Sequence, residues 1–219
     1  MKILVVVARR YNGHELWTAL GVLQQTDIDF EVVSTNTIIA DEITGRPNKI
    51  ERTLDEVDSL EGFDGLMIVS GNMDDTEAYW YDPRVQKLVQ QARMLPTAAI
   101  CCSVPTIRHI AKGRKVSFFP LIRSRLLLEE AGAIPQTVSV TVDGNLVTAE
   151  HQMATQLWAE MFVKVLKGET ADPKLQDSGF TPKGGLERRL HPTLERIRGK
   201  GYHPKNIQLM EGKISDHNQ

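Results

Sequence analysis

Two adjacent thiols, Cys101 and Cys102, are the only cysteines in the chain, and they stand at the end of an apolar run, Thr97-Ala98-Ala99-Ile100. Adjacency excludes a disulfide framework, because bridged cysteines prefer Cα atoms about 4.4–6.8 Å apart. It also makes a poor zinc site, since no C-x-x-C or H-x-x-x-H partner exists. Ser103-Val104-Pro105 follows without a loop and starts a helix expected over 103–112, closed by Gly113. A residue at a direct strand-to-helix junction is forced into a sharp turn that lifts its side chain above the sheet. The helix N-terminus beneath it favours an anion, which lowers a thiol pKa and can stabilise an oxyanion. Two readings of Cys101 stand side by side: a nucleophile, or the small buried hydrophobe that free cysteine often is.

The elements that would position such a thiol can be read from the apolar pattern. Lys2 to Ala8 is a Val-rich run with the character of a central strand covered on both faces. Gly13 to Gln25 has helical spacing, with Leu16, Ala19, Leu20 and Leu23 on one face. Strands are expected at 29–34, 65–70 and 97–100, and short helices at 53–60, 103–112 and 121–131. Asp82-Pro83 opens a further helix as cap and first residue. Residues 35–50 read as a polar, turn-rich excursion. Asp143-Gly144 between Val138–Val142 and Leu146–Thr148 predicts a hairpin with a type I′ turn. A last amphipathic helix is expected over 152–167. This alternation predicts an α/β fold with a mostly parallel central sheet sandwiched by helices. Ligands then bind beyond the carboxyl ends of the strands, here near Ala8 to Arg10, Ser70-Gly71, Cys101-Cys102 and Thr148 to His151.

From Glu169 onward apolar residues thin out and basic clusters appear (Arg188-Arg189, Arg196 to Lys200), with nine Lys and Arg against seven Asp and Glu. The chain therefore reads as a domain over 1–168 and a polar, mildly basic extension over 169–219, surface-draped or an arm for a partner. The net charge of −2 gives no pull toward nucleic acid or acidic membranes. The first apolar run is too short for a secretory leader and ends in Arg9-Arg10. No run approaches the ~18 apolar residues of a membrane span. The expectation is a cytoplasmic protein with no nucleic-acid or membrane partner and no cofactor or metal.

Several motifs, in order, resemble the ThiJ/PfpI family of the class I glutamine amidotransferase-like superfamily, whose fold is flavodoxin-like. The family's elbow reads A-A-I-C-H-G-P, and here Ala98-Ala99-Ile100-Cys101-Cys102-Ser103-Val104 precedes Pro105. Thr53 to Val57, Phe63 to Ile68, Asp82 to Val85, Gly113-Arg114-Lys115, Pro120 to Arg123 and Val142 to Thr148 resemble other family segments. The resemblance spans roughly residues 1–167. It implies that Cys101 is the nucleophile and that Glu15 is the glutamate hydrogen-bonded to it, whose protonated carboxyl holds a thiolate. It implies an oxyanion loop at Ser70-Gly71-Asn72, with amides of Gly71 and Cys102 as donors. The family's histidine after the cysteine is replaced by Cys102. His151 is then the candidate base, with a capping residue as the alternative, and His14 is a lesser candidate. Glu77 resembles an acid that reaches across a subunit interface, or else is simply solvated. Tyr79, Trp80 and Tyr81 form an aromatic cluster, read as packing against a second subunit, with an apolar substrate site as the alternative. The resemblance further implies a homodimer or larger assembly. The expected activity is that of a glyoxalase, deglycase or hydrolase on small carbonyl or amide compounds; the alternatives are a redox-sensing stress protein or a degenerate binding scaffold.

Overall fold

The structure, a computed structural model, describes residues 1–173 and the backbone of one strand at Ile207–Leu209. The chain opens with β1 (Lys2–Val7), β2 (Arg10–Tyr11), α1 (Gly13–Gln25) and β3 (Asp29–Ser34). Short strands β4 (Ile38–Asp41), β5 (Pro47–Ile50) and β6 (Arg52–Thr53) lead to β7 (Gly65–Val69). Helices α2 (Met73–Tyr79) and α3 (Pro83–Gln91) precede β8 (Thr97–Ile100) and a 3-10 helix at Cys101–Ile110. The last part carries β9 (Lys115–Ser117), α4 (Ile122–Glu130), β10 (Ile134–Gln136), β11 (Val140–Asp143), β12 (Leu146–Ala149), α5 (Thr155–Leu166) and β13 (Ile207–Leu209).

Seven strands form the main sheet in the order β11-β12-β8-β7-β1-β3-β6. All neighbours are parallel except β11 and β12. The alternation of side chains along β1 builds both faces of the core. Ile3, Val5 and Val7 join α1 and α5 through Leu16, Leu20, Trp158 and Phe162. Leu4, Val6 and Ala8 join the opposite layer through Val85, Leu88, Val104 and Leu128. Trp17 and Trp158 are both buried in the first of these layers.

Four local expectations are corrected. The 53–60 helix shrinks to one 3-10 turn, Leu54–Glu56, where the Glu56 carboxylate accepts from Thr53 N at 2.7 Å. The 35–50 excursion is a β-hairpin of β4 and β5, which joins β2 and β13 in a second sheet. Its apolar Ile39 and Ile50 are buried, which the surrounding polar residues hid from a pattern search. In the late hairpin Asp143 pairs with Leu146, so the two-residue loop is Gly144-Asn145. Only Gly144 of the two has positive φ, the pattern of a type II′ turn rather than type I′. The elbow helix begins at Cys101 and is 3-10 throughout. Pro105 has no N–H to donate to the Cys102 carbonyl three residues back, which instead accepts from Trp80 Nε1 at 2.9 Å. The expected arm lies mostly outside the described residues, as do Arg188, Arg189 and the cluster from Arg196 to Lys200. Among the described residues no helix is long and apolar enough to cross a membrane.

Candidate active site

Cys101 stands at the top of β8 with φ +57°, one of two non-glycine residues of positive φ among the described residues. That region costs an L-residue roughly 1–2 kcal/mol, so the surroundings must hold the turn. Ser103 does so from below. Its hydroxyl accepts from Ile100 N at 3.1 Å and lies 2.9 Å from Ile68 O and 2.7 Å from Ile100 O, tying the elbow to β7. Trp80 does so from behind, donating Nε1–H to the Cys102 carbonyl at 2.9 Å.

The parallel registers bring further groups to the same level. Ile68 pairs with Ala99 and Ala149 with Ile100. Ser70 and Glu150 therefore leave the sheet beside Cys101. Glu15, on the first turn of α1, is fully buried against this end of the sheet. The Asn12 side chain caps α1 by accepting from Glu15 N at 3.1 Å. The Glu15 carboxylate Oε2 accepts from Ser70 N at 3.0 Å and from the Ser70 hydroxyl at 2.7 Å. Oε1 is buried with no hydrogen-bond partner among the described residues. Burial first, and the charge of a Cys101 thiolate second, push the Glu15 carboxyl well above its usual range, more than the Ser70 bonds pull it down.

The thiol itself departs from expectation. A helix N-terminus predicts a depressed pKa, yet Cys101 is raised well above a free cysteine. The neighbouring Cys102 thiol is the first cause, its sulfur 3.7 Å from that of Cys101, and burial is the second. The Ser70 side chain and the Cys102 backbone act in the opposite direction, favouring the thiolate.

The loop after β7 is a second correction. Gly71 N donates to Thr76 Oγ1 at 3.0 Å, and Asn72 N to Arg10 O at 2.7 Å. With Ser70 N on Glu15, all three amides of Ser70-Gly71-Asn72 are engaged, so the Gly71 amide is not a free oxyanion donor. Gly71 is required for another reason: a Cβ there would sit 1.9 Å from the Arg10 carbonyl oxygen, where Tyr11 and Gly71 form a β-bridge. The Asn72 side chain caps α2 by accepting from Asp74 N at 3.2 Å.

His151 also takes a structural position. It caps the 3-10 turn Gln152–Ala154, its Nδ1 accepting from Met153 N at 3.1 Å. The Nδ1 lone pair is thereby occupied, and no hydrogen bond joins His151 to Cys101 among the described residues. His14 Nδ1 is buried without a partner, and burial lowers its pKa, favouring the neutral ring. His109 is exposed, and His191, His203 and His217 lie outside the described residues. Glu77 is neither solvated nor free: it pairs with Arg123 on α4 of the same chain. Tyr79 and Trp80 are 2% exposed within their own subunit, not packed for a second one. Tyr79 donates to Val7 O at 2.7 Å; Tyr81 alone is exposed, with Arg108 over its ring.

The model of the DJ-1/PfpI family matches residues 1–165. The chain belongs to the DJ-1/PfpI family. Among its relatives is an uncharacterised protein of Methanocaldococcus jannaschii, 26% identical over 171 residues, covering 76% of this chain and 82% of that one. Its fold is similar to a ThiJ/PfpI domain protein of Brachyspira murdochii, with TM-score 0.69 and 22% identity over 77% of this chain and 98% of that one. It is likewise similar to Schizosaccharomyces pombe DJ-1, with TM-score 0.63 and 18% identity over 82% and 100% of the two chains. Within the DJ-1/PfpI pattern, this chain places a thiol where the histidine stands and serines at two glycine positions, Ser70 and Ser103. Each substituted side chain has its own partner: Cys102 on Cys101, Ser70 on Glu15, Ser103 on β7. Sequence reading passed over the bonding roles of Ser103, Thr76 and Trp80; a polar residue in a glycine slot next to a strand end was the available signal for the first.

Proposed function

We propose that the protein is a cysteine-dependent enzyme acting on small reactive carbonyl compounds, α-oxoaldehydes foremost. The observation that carries this reading is the buried Glu15 carboxyl, raised well above its usual range and bound through Ser70 beside the Cys101 thiol. A raised carboxyl is a stronger base than an ordinary one. Glu15 takes the thiol proton as Cys101 Sγ attacks the aldehyde carbon, and returns it to the carbonyl oxygen, giving a hemithioacetal. The same carboxyl then carries a proton from the former aldehyde carbon to its neighbour while the hemithioacetal hydroxyl proton passes to the neighbouring oxygen, leaving an α-hydroxy thioester. Water cleaves that ester to the α-hydroxy acid and restores the thiol. Amide hydrolysis is less well served. It needs donors aimed at a tetrahedral oxyanion, and the Gly71 amide is occupied. It also needs a base for the leaving amine, and the Nδ1 of His151 is occupied too.

The test is consumption of methylglyoxal by the wild type and by Cys101→Ala. Loss of consumption in the variant supports the reading; equal rates, or none in either, overturn it.

A second reading, redox sensing, is favoured by one observation, the 3.7 Å separation of the two sulfurs. A peroxide would oxidise Cys101 to the sulfenic acid, releasing water or alcohol. Cys102 would then attack that sulfur and release water, closing a disulfide between neighbours. Such a strained bridge is readily reduced again. Intact mass after mild peroxide separates the outcomes: a loss of two hydrogens supports the resolving role of Cys102, and a gain of two oxygens contradicts it.

A further inference from the structure

We infer that the Ser70 hydroxyl is a proton relay between Glu15 and Cys101, a positioning residue that replaces direct contact between carboxyl and thiol. The inference deepens the proposed reading of this site and rests on it.

Three observations meet at one side chain. Ser70 is 2% exposed, and its hydroxyl donates to Glu15 Oε2 at 2.7 Å. The same side chain acts on the Cys101 thiol, favouring its thiolate. The register of β7 against β8, continued just past both strand ends, sets Ser70 level with Cys101. The backbone N–H of Ser70 holds Oε2 at 3.0 Å independently of the side chain. Glu15 is therefore anchored even without the hydroxyl, which leaves the hydroxyl free to pass protons.

The transfer balances. With Glu15 ionised, the Cys101 S–H proton moves to Ser70 Oγ while the Ser70 hydroxyl proton moves to Glu15 Oε2. The result is a Cys101 thiolate, an intact serine hydroxyl that now donates to it, and a protonated carboxyl. The reverse double transfer re-forms the thiol. Because one proton serves two groups, they titrate as a pair. Over the pH range where the pair holds a single negative charge, a fixed share of that charge sits on sulfur. A small residue in this place, such as glycine, lacks the hydroxyl and cannot relay.

The test is the pH–rate profile of Cys101 alkylation by iodoacetamide in the full chain, with the modified cysteine assigned by fragment mass spectrometry. Wild type is expected to show two steps, a lower one from the pair and an upper one from full thiol ionisation. Ser70→Ala and Ser70→Gly are both expected to lower the rate on the lower step by about 10- to 100-fold, the worth of a hydrogen bond to a charged group. Ser70→Thr, which keeps the hydroxyl, is expected to retain it. A lower step unchanged in both hydroxyl-free variants overturns the relay. If that happens while Glu15→Gln removes the step, the relay alone fails. If Glu15→Gln also leaves the profile unchanged, the acid–base reading of the site fails with it.

Discussion

The sulfur atoms of Cys101 and Cys102 face each other at 3.7 Å. The contact holds the Cys101 proton in place, because the Cys102 thiol is the first cause of its raised pKa. Cys102→Ala removes that cause and keeps the Cys102 backbone, which favours the thiolate. The thiolate absorbance of Cys101 should then rise at lower pH than in wild type. An unchanged or higher titration would assign the raised value to burial alone.

Glu15 sets a pH dependence of stability. Its folded pKa lies above the unfolded value of about 4.3. The folded protein therefore binds the extra proton, and the stability this group contributes is complete below the unfolded pKa and lost as pH rises through the folded one. Glu15→Gln has no such proton to lose. Its urea-unfolding free energy, taken relative to wild type, should gain as pH rises above the unfolded value of about 4.3. A constant difference above that value would contradict burial of an ionising carboxyl.

Gly71 and Gly62 make a contrast in what a methyl group meets. At Gly71 a Cβ lies 1.9 Å from the Arg10 carbonyl, whereas at Gly62 nothing lies within 4 Å and only the backbone, φ +82°, is unfavourable. Gly71→Ala should cost more than ~3 kcal/mol, as for other forced backbone clashes. Gly62→Ala should cost about 1–2 kcal/mol for the left-handed region. Chemical denaturation of the two variants checks the order.

Trp80 supports the elbow through a single donor. Trp80→Phe keeps the buried aromatic ring and leaves the Cys102 carbonyl without the indole N–H. The expected loss is about 1–3 kcal/mol for a buried acceptor left unpaired. In a chain of this size that lowers the midpoint by a few degrees, at about 2–4 °C per kcal/mol, measured by thermal melting.

The strands and helices that carry the site were legible because their signals are local. The Val-rich β1, the Leu16, Ala19, Leu20 and Leu23 face of α1 and the Asp82-Pro83 start of α3 each follow from spacing and caps. Cys101 was legible for the same reason: a strand runs into a helix without a loop, and the turn is left-handed as that demands. What sequence could not supply is where donors go. The amides of Ser70, Gly71 and Asn72 look like a free loop until Glu15, Thr76 and Arg10, remote or near in sequence, take them up. His151 looked like a base because it follows a strand end, but capping the next turn uses the nitrogen that a base would need. The hairpin at β4 and β5 was hidden because buried Ile39 and Ile50 sit among polar neighbours.

The most direct measurement is the alkylation of Cys101 as a function of pH in wild type and Glu15→Gln. If carboxyl and thiol share a proton, wild type gives two steps and Glu15→Gln gives one, displaced to alkaline pH and slower at pH 7. Identical single-step profiles in the two proteins would contradict a working pair and leave Cys101 an ordinary buried thiol.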